Sequence, residues 1–164
     1  MIDRQEATGT CPLGGRSPAA RWFVAAVAFV ALCGTHASAA DFRSTTEAAT
    51  VWYDAPSTKA KQLYVVGRGY PVEVLVSLEA WTKVRDAAGS IGWVEARTLA
   101  AKRMLVVKPT MAEVRSAPDD AAPVAFRVGQ NVLLEWMETL PNGWTRVRHG
   151  EAGLGFVRTG EVFG

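Results

Sequence analysis

Apolar and polar side chains alternate along the chain in short bursts, bounded by Gly, Pro, Asp or Ser. The stretches QLYVV (62–66), PVEVLVSL (71–78), WTKVRD (81–86) and IGWVE (91–95) are rich in Val, Thr and aromatics, the composition that suits a pleated, half-buried surface. Each predicts a strand. In WTKVR the period of two puts Thr82 and Val84 on one face and Trp81, Lys83 and Arg85 on the other, so Val84 is a core candidate and the basic residues look outward. No window after the first forty residues sustains apolar positions at three- and four-residue spacing. Helix is therefore expected only in the N-terminal leader and in a turn near ARTL or RTGEV.

The same series then recurs. VAFRV (124–128), VLLEWME (132–138), WTRVRH (144–149) and LGFV (154–157) predict a second set of strands, with PNG (141–143) and GEAG (150–153) as turns. Trp81/Trp144, Val84/Val147, Gly92/Gly155 and Val94/Val157 all correspond at an offset of 63 residues, whereas WYDAPS (52–57) and VRSAPD (114–119) correspond at 62. One residue has thus been gained in the LPNG loop. A period this long exceeds the roughly 20–50 residues of solenoid repeats and is long enough for a small domain. The expected organisation is a leader over 1–40, a first domain over 41–100 and a second over 101–164, each with about five short antiparallel strands. A unit of this size buries only about 60% of its unfolded surface. Closing into a small β-barrel removes the sheet edges, which makes it the economical solution. The segment AAKRMLVVKPT (100–110) joins the two, and its MLVV is a candidate strand of the second.

The leader has the pattern of an export signal. Arg16 and Arg21 precede the apolar run Trp22 to Leu32, which is too short to span a bilayer and is followed by small residues at Ala37, Ser38, Ala39 and Ala40. Leu32 ahead of Cys33 departs from the small residue that a lipidation signal needs, so Cys33 reads as part of a discarded leader. Both cysteines, Cys11 and Cys33, lie in this leader, so a chain beginning at Asp41 has no disulfide, thiol nucleophile or thiolate metal site. The expected location is periplasmic or secreted, without stable membrane insertion once the leader is removed.

Charge and titratable side chains exclude further classes. The 164-residue chain carries a formal net charge of +2, and its Lys and Arg alternate with Asp and Glu, which is not a nucleic-acid-binding stripe. His149 is the one histidine outside the leader and is expected in an exposed loop. Glu135 and Glu138, three apart on a strand, are expected to face opposite ways. With this inventory no nucleophile, general base and metal set can be assembled, so the expectation is a protein that is not an enzyme and uses no cofactor or metal.

The order AEVRSAPD (112–119), VG (128–129), VLLE (132–135), GWTRVRHGEAGLGFV (143–157) and a closing Val162 resembles the bacterial SH3 domain, SH3b, with its N-V-R-S-x-P-S, G-W-x-K-V and G-x-x-G-W-V motifs. The first copy fits from Val66 to Leu99, with Gly92, Trp93 and Val94 in place, and departs at its start, where Val51 and Tyr53 stand at the Asn and Arg positions. The resemblance implies an all-β chain of two tandem small SH3-like barrels behind a signal-peptide helix. It also implies non-catalytic binding of a cell-wall peptide, with an envelope-protein scaffold as the alternative. The oligomeric state is left open.

Glycines at 92 and 155 are expected where another backbone or a ring packs against the strand. Trp52, Tyr53, Tyr64, Tyr70 and Trp81 break the alternation of the first copy and include polar-tipped rings suited to a shallow groove for an extended peptide or a sugar edge, although such rings also serve as barrel walls. Trp144 of the second copy joins these ligand-binding candidates. Arg115, in the motif turn, either holds the loop by bonding carbonyls or meets a wall-peptide carboxylate, and the loop-holding role is favoured.

Overall fold

The computed structural model describes residues 40–150 and 152–164. The leader reading of 1–40 therefore falls almost wholly outside the described residues. Residues 39–164 form one compact unit. Within it the chain makes two antiparallel sheets, one from each copy of the repeat.

The first sheet contains β1 (Asp41–Thr45), β2 (Thr50–Tyr53), β3 (Gln62–Val66), β4 (Pro71–Ser77), β5 (Trp81–Arg85), β6 (Ile91–Glu95) and β7 (Leu99–Ala100). The second contains β8 (Met104–Val107), β9 (Met111–Arg115), β10 (Val124–Gly129), β11 (Leu133–Thr139), β12 (Trp144–His149), β13 (Gly153–Arg158) and β14 (Val162–Phe163). The orders are β3-β2-β6-β5-β4-β1-β7 and β10-β9-β13-β12-β11-β8-β14, the same topology twice. One-turn 3-10 segments at Ala96–Thr98 and Thr159–Glu161 fall in ARTL and RTGEV.

Two expectations about the architecture need correction. Each sheet has seven strands instead of about five, because the first and last elements of each module are short and carry little alternation. Nor do the sheets close into barrels. The end strands β3 and β7, and likewise β10 and β14, do not pair with each other. The last strand of each module has only two residues, and both pair with the module's first strand. Nothing is left over to bridge to the far edge.

Each sheet wraps its own core. The second is built on Leu105, Val107, Ala112, Val114, Val128, Leu134, Val147, Val157 and Val162. The first has only Trp52, Val72, Val84 and Val94. Ser44, Thr45 and Thr50 are buried where the second module has Val106, Val107 and Ala112. Two of these hydroxyls are satisfied by backbone: Ser44 Oγ donates to the Lys102 carbonyl at 2.7 Å and Thr45 Oγ1 to that of Gly67 at 2.6 Å. Trp52 supplies the missing apolar volume. Its ring stands at the position of Val114 and is 0% exposed.

Gly92 and Gly155 make this packing possible. A Cβ on Gly92 would lie 2.8 Å from Trp52 Cε3 and 3.2 Å from the Tyr53 carbonyl oxygen. On Gly155 it would run into Val114 Cγ1 and sit 3.0 Å from the Arg115 carbonyl. The extra residue of the second module is accommodated at Gly143, whose φ of 84° closes the β11–β12 turn in the left-handed region.

Gly92→Ala is expected to cost about 1–3 kcal/mol, because Trp52 and the β2 backbone cannot both retreat. Gly160→Ala, where nothing lies within 4 Å of the added atom, is expected to change stability by under about 0.5 kcal/mol. Urea unfolding of both variants beside the parent chain measures the contrast.

Candidate functional site

The aromatic candidates divide between two faces of the first module. On the outer face, the Tyr53 ring meets Trp81 edge-on at 5.4 Å between centroids, and Tyr53 pairs with Trp93 across β2 and β6. Lys83 lies over Trp93 at 5.9 Å. The period of two produces this surface: Trp81 and Lys83 alternate with buried Thr82 and Val84, and Trp93 alternates with buried Gly92 and Val94. Trp81 and Trp93 are half-buried. Two amphipathic rings beside an ammonium group offer a flat stacking platform for a sugar edge or a peptide plane. Trp93 was not among the sequence candidates, although its place one residue after Gly92 on the face shared by Trp81 and Lys83 was legible.

The second group gathers around the β5–β6 turn. Tyr64 stacks on Trp52 at 4.8 Å, and its hydroxyl donates to Asp86 Oδ2 at 3.2 Å. Asp86 Oδ1 accepts from the Ala88 and Ser90 amides at 2.9 and 2.8 Å. The carboxylate thus fixes its own turn before it can serve anything else. Burial pushes the Tyr64 phenol well above the usual tyrosine value, and the nearby Asp86 charge and hydrogen bond raise it further. Tyr70 is raised as well, by burial first and then by Asp86. The second module has Val114, Phe126, Val132 and His149 at the positions of Trp52, Tyr64, Tyr70 and Asp86. The modules therefore differ most at this end.

Burial limits what several candidates can do. Trp52, Tyr53 and Trp144 are 0%, 7% and 4% exposed, so their rings are largely withdrawn from solvent into packing. Trp144 is covered by the Arg158 guanidinium, centred 4.6 Å from the ring and itself paired with Asp120. Arg115 donates from Nη1 to the Ala122 carbonyl at 2.7 Å and from Nη2 to Glu113 at 2.8 Å. It holds the β9–β10 loop.

Two expectations about titratable groups are corrected. His149 is half-buried at the end of β12, its ring 6.2 Å from that of Phe126, because Phe126 on edge strand β10 folds over it. Glu135 and Glu138 face the same way, because a bulge between Trp136 and Glu138 shifts the register by one residue. They pair with Arg148 and Arg146, two apart on β12, with charge contacts at 2.5 and 3.3 Å. The hydrogen bond from Arg148, joined by one from Lys102, holds the Glu135 carboxyl below the usual carboxylate value. Glu73 and Arg85 make the matching pair in the first module, also at 2.5 Å. Such exposed pairs contribute about 0.2–1 kcal/mol each and are structural. Among the described residues, no cluster of three or more His, Cys, Asp or Glu could hold a metal ion, and no helix is long and apolar enough to cross a membrane.

With this geometry in place, comparison with known proteins gives the family. The sequence profile described as "Bacterial SH3 domain" matches twice, at residues 47–100 and 108–164. The chain belongs to the bacterial SH3 domain family and carries the domain in tandem. No curated protein matches it. Among solved structures it is similar to NlpC1 from Trichomonas vaginalis at 16% identity and a TM-score of 0.36, covering 76% of this chain and 45% of that one. The corresponding values for NlpC2 from Trichomonas vaginalis are 17%, 0.36, 77% and 48%. For an NlpC/P60 family protein from Bacillus cereus ATCC 10987 they are 13%, 0.32, 74% and 55%. This chain spans about half the length of those proteins.

In a spectrophotometric alkaline titration, Tyr64 and Tyr70 are expected to ionise above the ordinary tyrosine range. Folding raises both values, so the stabilisation is intact below the unfolded value near about 10 and is lost as pH climbs through the folded ones. Asp86→Asn removes a neighbouring negative charge and is expected to bring both titrations down.

Proposed function

We propose that this protein is a non-catalytic tandem binding module of the bacterial envelope that recognises peptidoglycan through its wall peptides. The observation that carries the reading is the outer face of the first module, where Trp81 and Trp93 stand half-exposed beside Tyr53 and Lys83 on a rigid three-strand surface. Membership of the bacterial SH3 domain family supports the same reading, as does the export-signal pattern of the leader. Proposed roles follow from placement. Trp81 and Trp93 provide stacking area, and Tyr53 braces Trp81 from beneath. Tyr64 and Tyr70, with Trp52 behind them, shape the turn at the end of the groove. Arg115 and Trp144 keep the equivalent loops of the second module in place.

One observation favours a second reading, an assembly scaffold for an envelope protein. Edge strand β3 is unpaired on its outer side and exposes Leu63 and Val65, at 41% and 56%. An extended segment of a partner could add to it as a further strand.

The full chain is expected to sediment with isolated, protein-free sacculi at low salt. Trp81→Ala combined with Trp93→Ala is expected to weaken that binding at least about tenfold, consistent with loss of two amphipathic anchors, while the melting temperature of the second module is unchanged. If the parent chain stays in the supernatant while folded, the wall reading fails.

A further inference from the structure

A second concave site lies where β1 of the first module meets the second module. Phe42, Arg103, Trp136, Thr139, Thr159 and Phe163 line a cavity of about 230 Å³. Arg103 is its centre. Its guanidinium lies between two aromatic rings, 4.7 Å from Trp136 and 5.3 Å from Phe42. Phe42 is held edge-on against Phe163 at 5.3 Å, and the Trp136 indole N–H donates to Thr139 Oγ1 at 3.0 Å. The walls are therefore fixed before anything binds.

The cation is incompletely matched. Arg103 Nη2 donates to the Gly164 carbonyl at 2.9 Å, but Nε is shut off from solvent without an acceptor, and no carboxylate pairs with the group among the described residues. The other arginines given a charge partner here all reach one on the surface. A guanidinium clamped between rings and lacking an acid partner is costly unless an anion completes it. Burial already disfavours its charged form.

The lining also says which anion fits. Arg103 is the only Lys or Arg on the cavity wall, and the remaining polar groups include the hydroxyls of Thr139, Thr145 and Thr159. Thr145 and Thr159 hydroxyls are 2.9 Å apart. One cation with neutral hydroxyls suits a monoanion with an apolar substituent, whereas a phosphate dianion would call for more positive charge. The first module has Val74, Ala96 and Ala100 at the positions of Trp136, Thr159 and Phe163, so the repeat provides this cavity once.

We propose that the cleft between the modules is a carboxylate-binding site, in which Arg103 receives the free C-terminal carboxylate of a short wall peptide and the Phe42, Trp136 and Phe163 rings receive its small apolar side chains. The carboxylate chemistry stands on Arg103 alone, while the source of the peptide rests on the wall reading above.

The test uses the full chain and acetyl-D-alanyl-D-alanine as the probe, with its C-terminal amide and acetyl-L-alanyl-L-alanine as companions, followed by titration calorimetry and by the fluorescence of Trp136 isolated as the difference from Trp136→Phe. The free acid is expected to bind at least about tenfold more tightly than the amide, with the preference abolished in Arg103→Met and partly kept in Arg103→Lys. Thr159→Val, which leaves the guanidinium sandwich intact, is expected to weaken the acid without altering the melting temperature. Equal binding of acid and amide, or binding of neither, overturns the site. Tighter binding of the L,L peptide overturns the wall as the source. Sacculus sedimentation of Arg103→Met keeps the two proposals apart: a variant that still sediments but ignores the acid leaves the outer-face reading standing and confirms this cleft as the acid's site.

Discussion

The close approach of β2 to β6, and of β9 to β13, is the constraint on which both modules rest. A side chain at position 92 or 155 would collide with the residue that fills the core from the neighbouring strand. With glycine there, Trp52 or Val114 reaches full burial and the hairpin carrying Val84 and Val94, or Val147 and Val157, can fold over it. The turn, the outer face and the edge strand all take their places from that contact. A missing methyl group organises more of this protein than any hydrogen bond or ion pair.

Around the shared frame the two modules have been filled differently. The second uses aliphatic side chains throughout, and its polar surface is tied down by Arg115, Arg148 and Arg158. The first replaces much of that aliphatic volume with one indole and surrounds it with phenols and a carboxylate. Rings with polar tips keep an apolar body against the core and a hydrogen-bonding end near water. The first module is thus the chemically richer surface, and the second the sturdier support. The junction between them draws on both, since Phe42 comes from one and Arg103, Trp136 and Phe163 from the other.

Much of the fold was legible because period-two alternation, turn residues and an internal repeat all pointed the same way. The strands from Gln62 to Glu95 and from Val124 to Arg158 lie within a residue or so of their predicted places. What escaped were β1, β2, β9 and the two-residue strands, which are short, interrupted by polar residues, or defined only by a partner distant in sequence. Barrel closure also escaped, since it depends on which strand ends have residues to spare. Site residues were harder. The same alternation that marks Trp81 as outward could not show that Trp52 fits into the gap above a glycine 40 positions later. A bulge in β11 reversed the expected facing of Glu138, and nothing local marks a bulge there. Arg103 looked like a linker charge because the rings that enclose it, Phe42 and Trp136, lie far from it along the chain.

The open ends of the two sheets have a consequence for how the protein behaves in bulk. Each molecule presents two outer strands, β3 and β10, whose unmatched amides run along separate modules of one rigid-cored chain. Two such edges per monomer are enough for head-to-tail growth, which a single edge could only cap. Lys59 and Lys61 ahead of β3, and Arg127 within β10, oppose that stacking by mutual repulsion. Concentrated stocks should therefore stay clear in dilute buffer and turn viscous as added electrolyte quiets those charges.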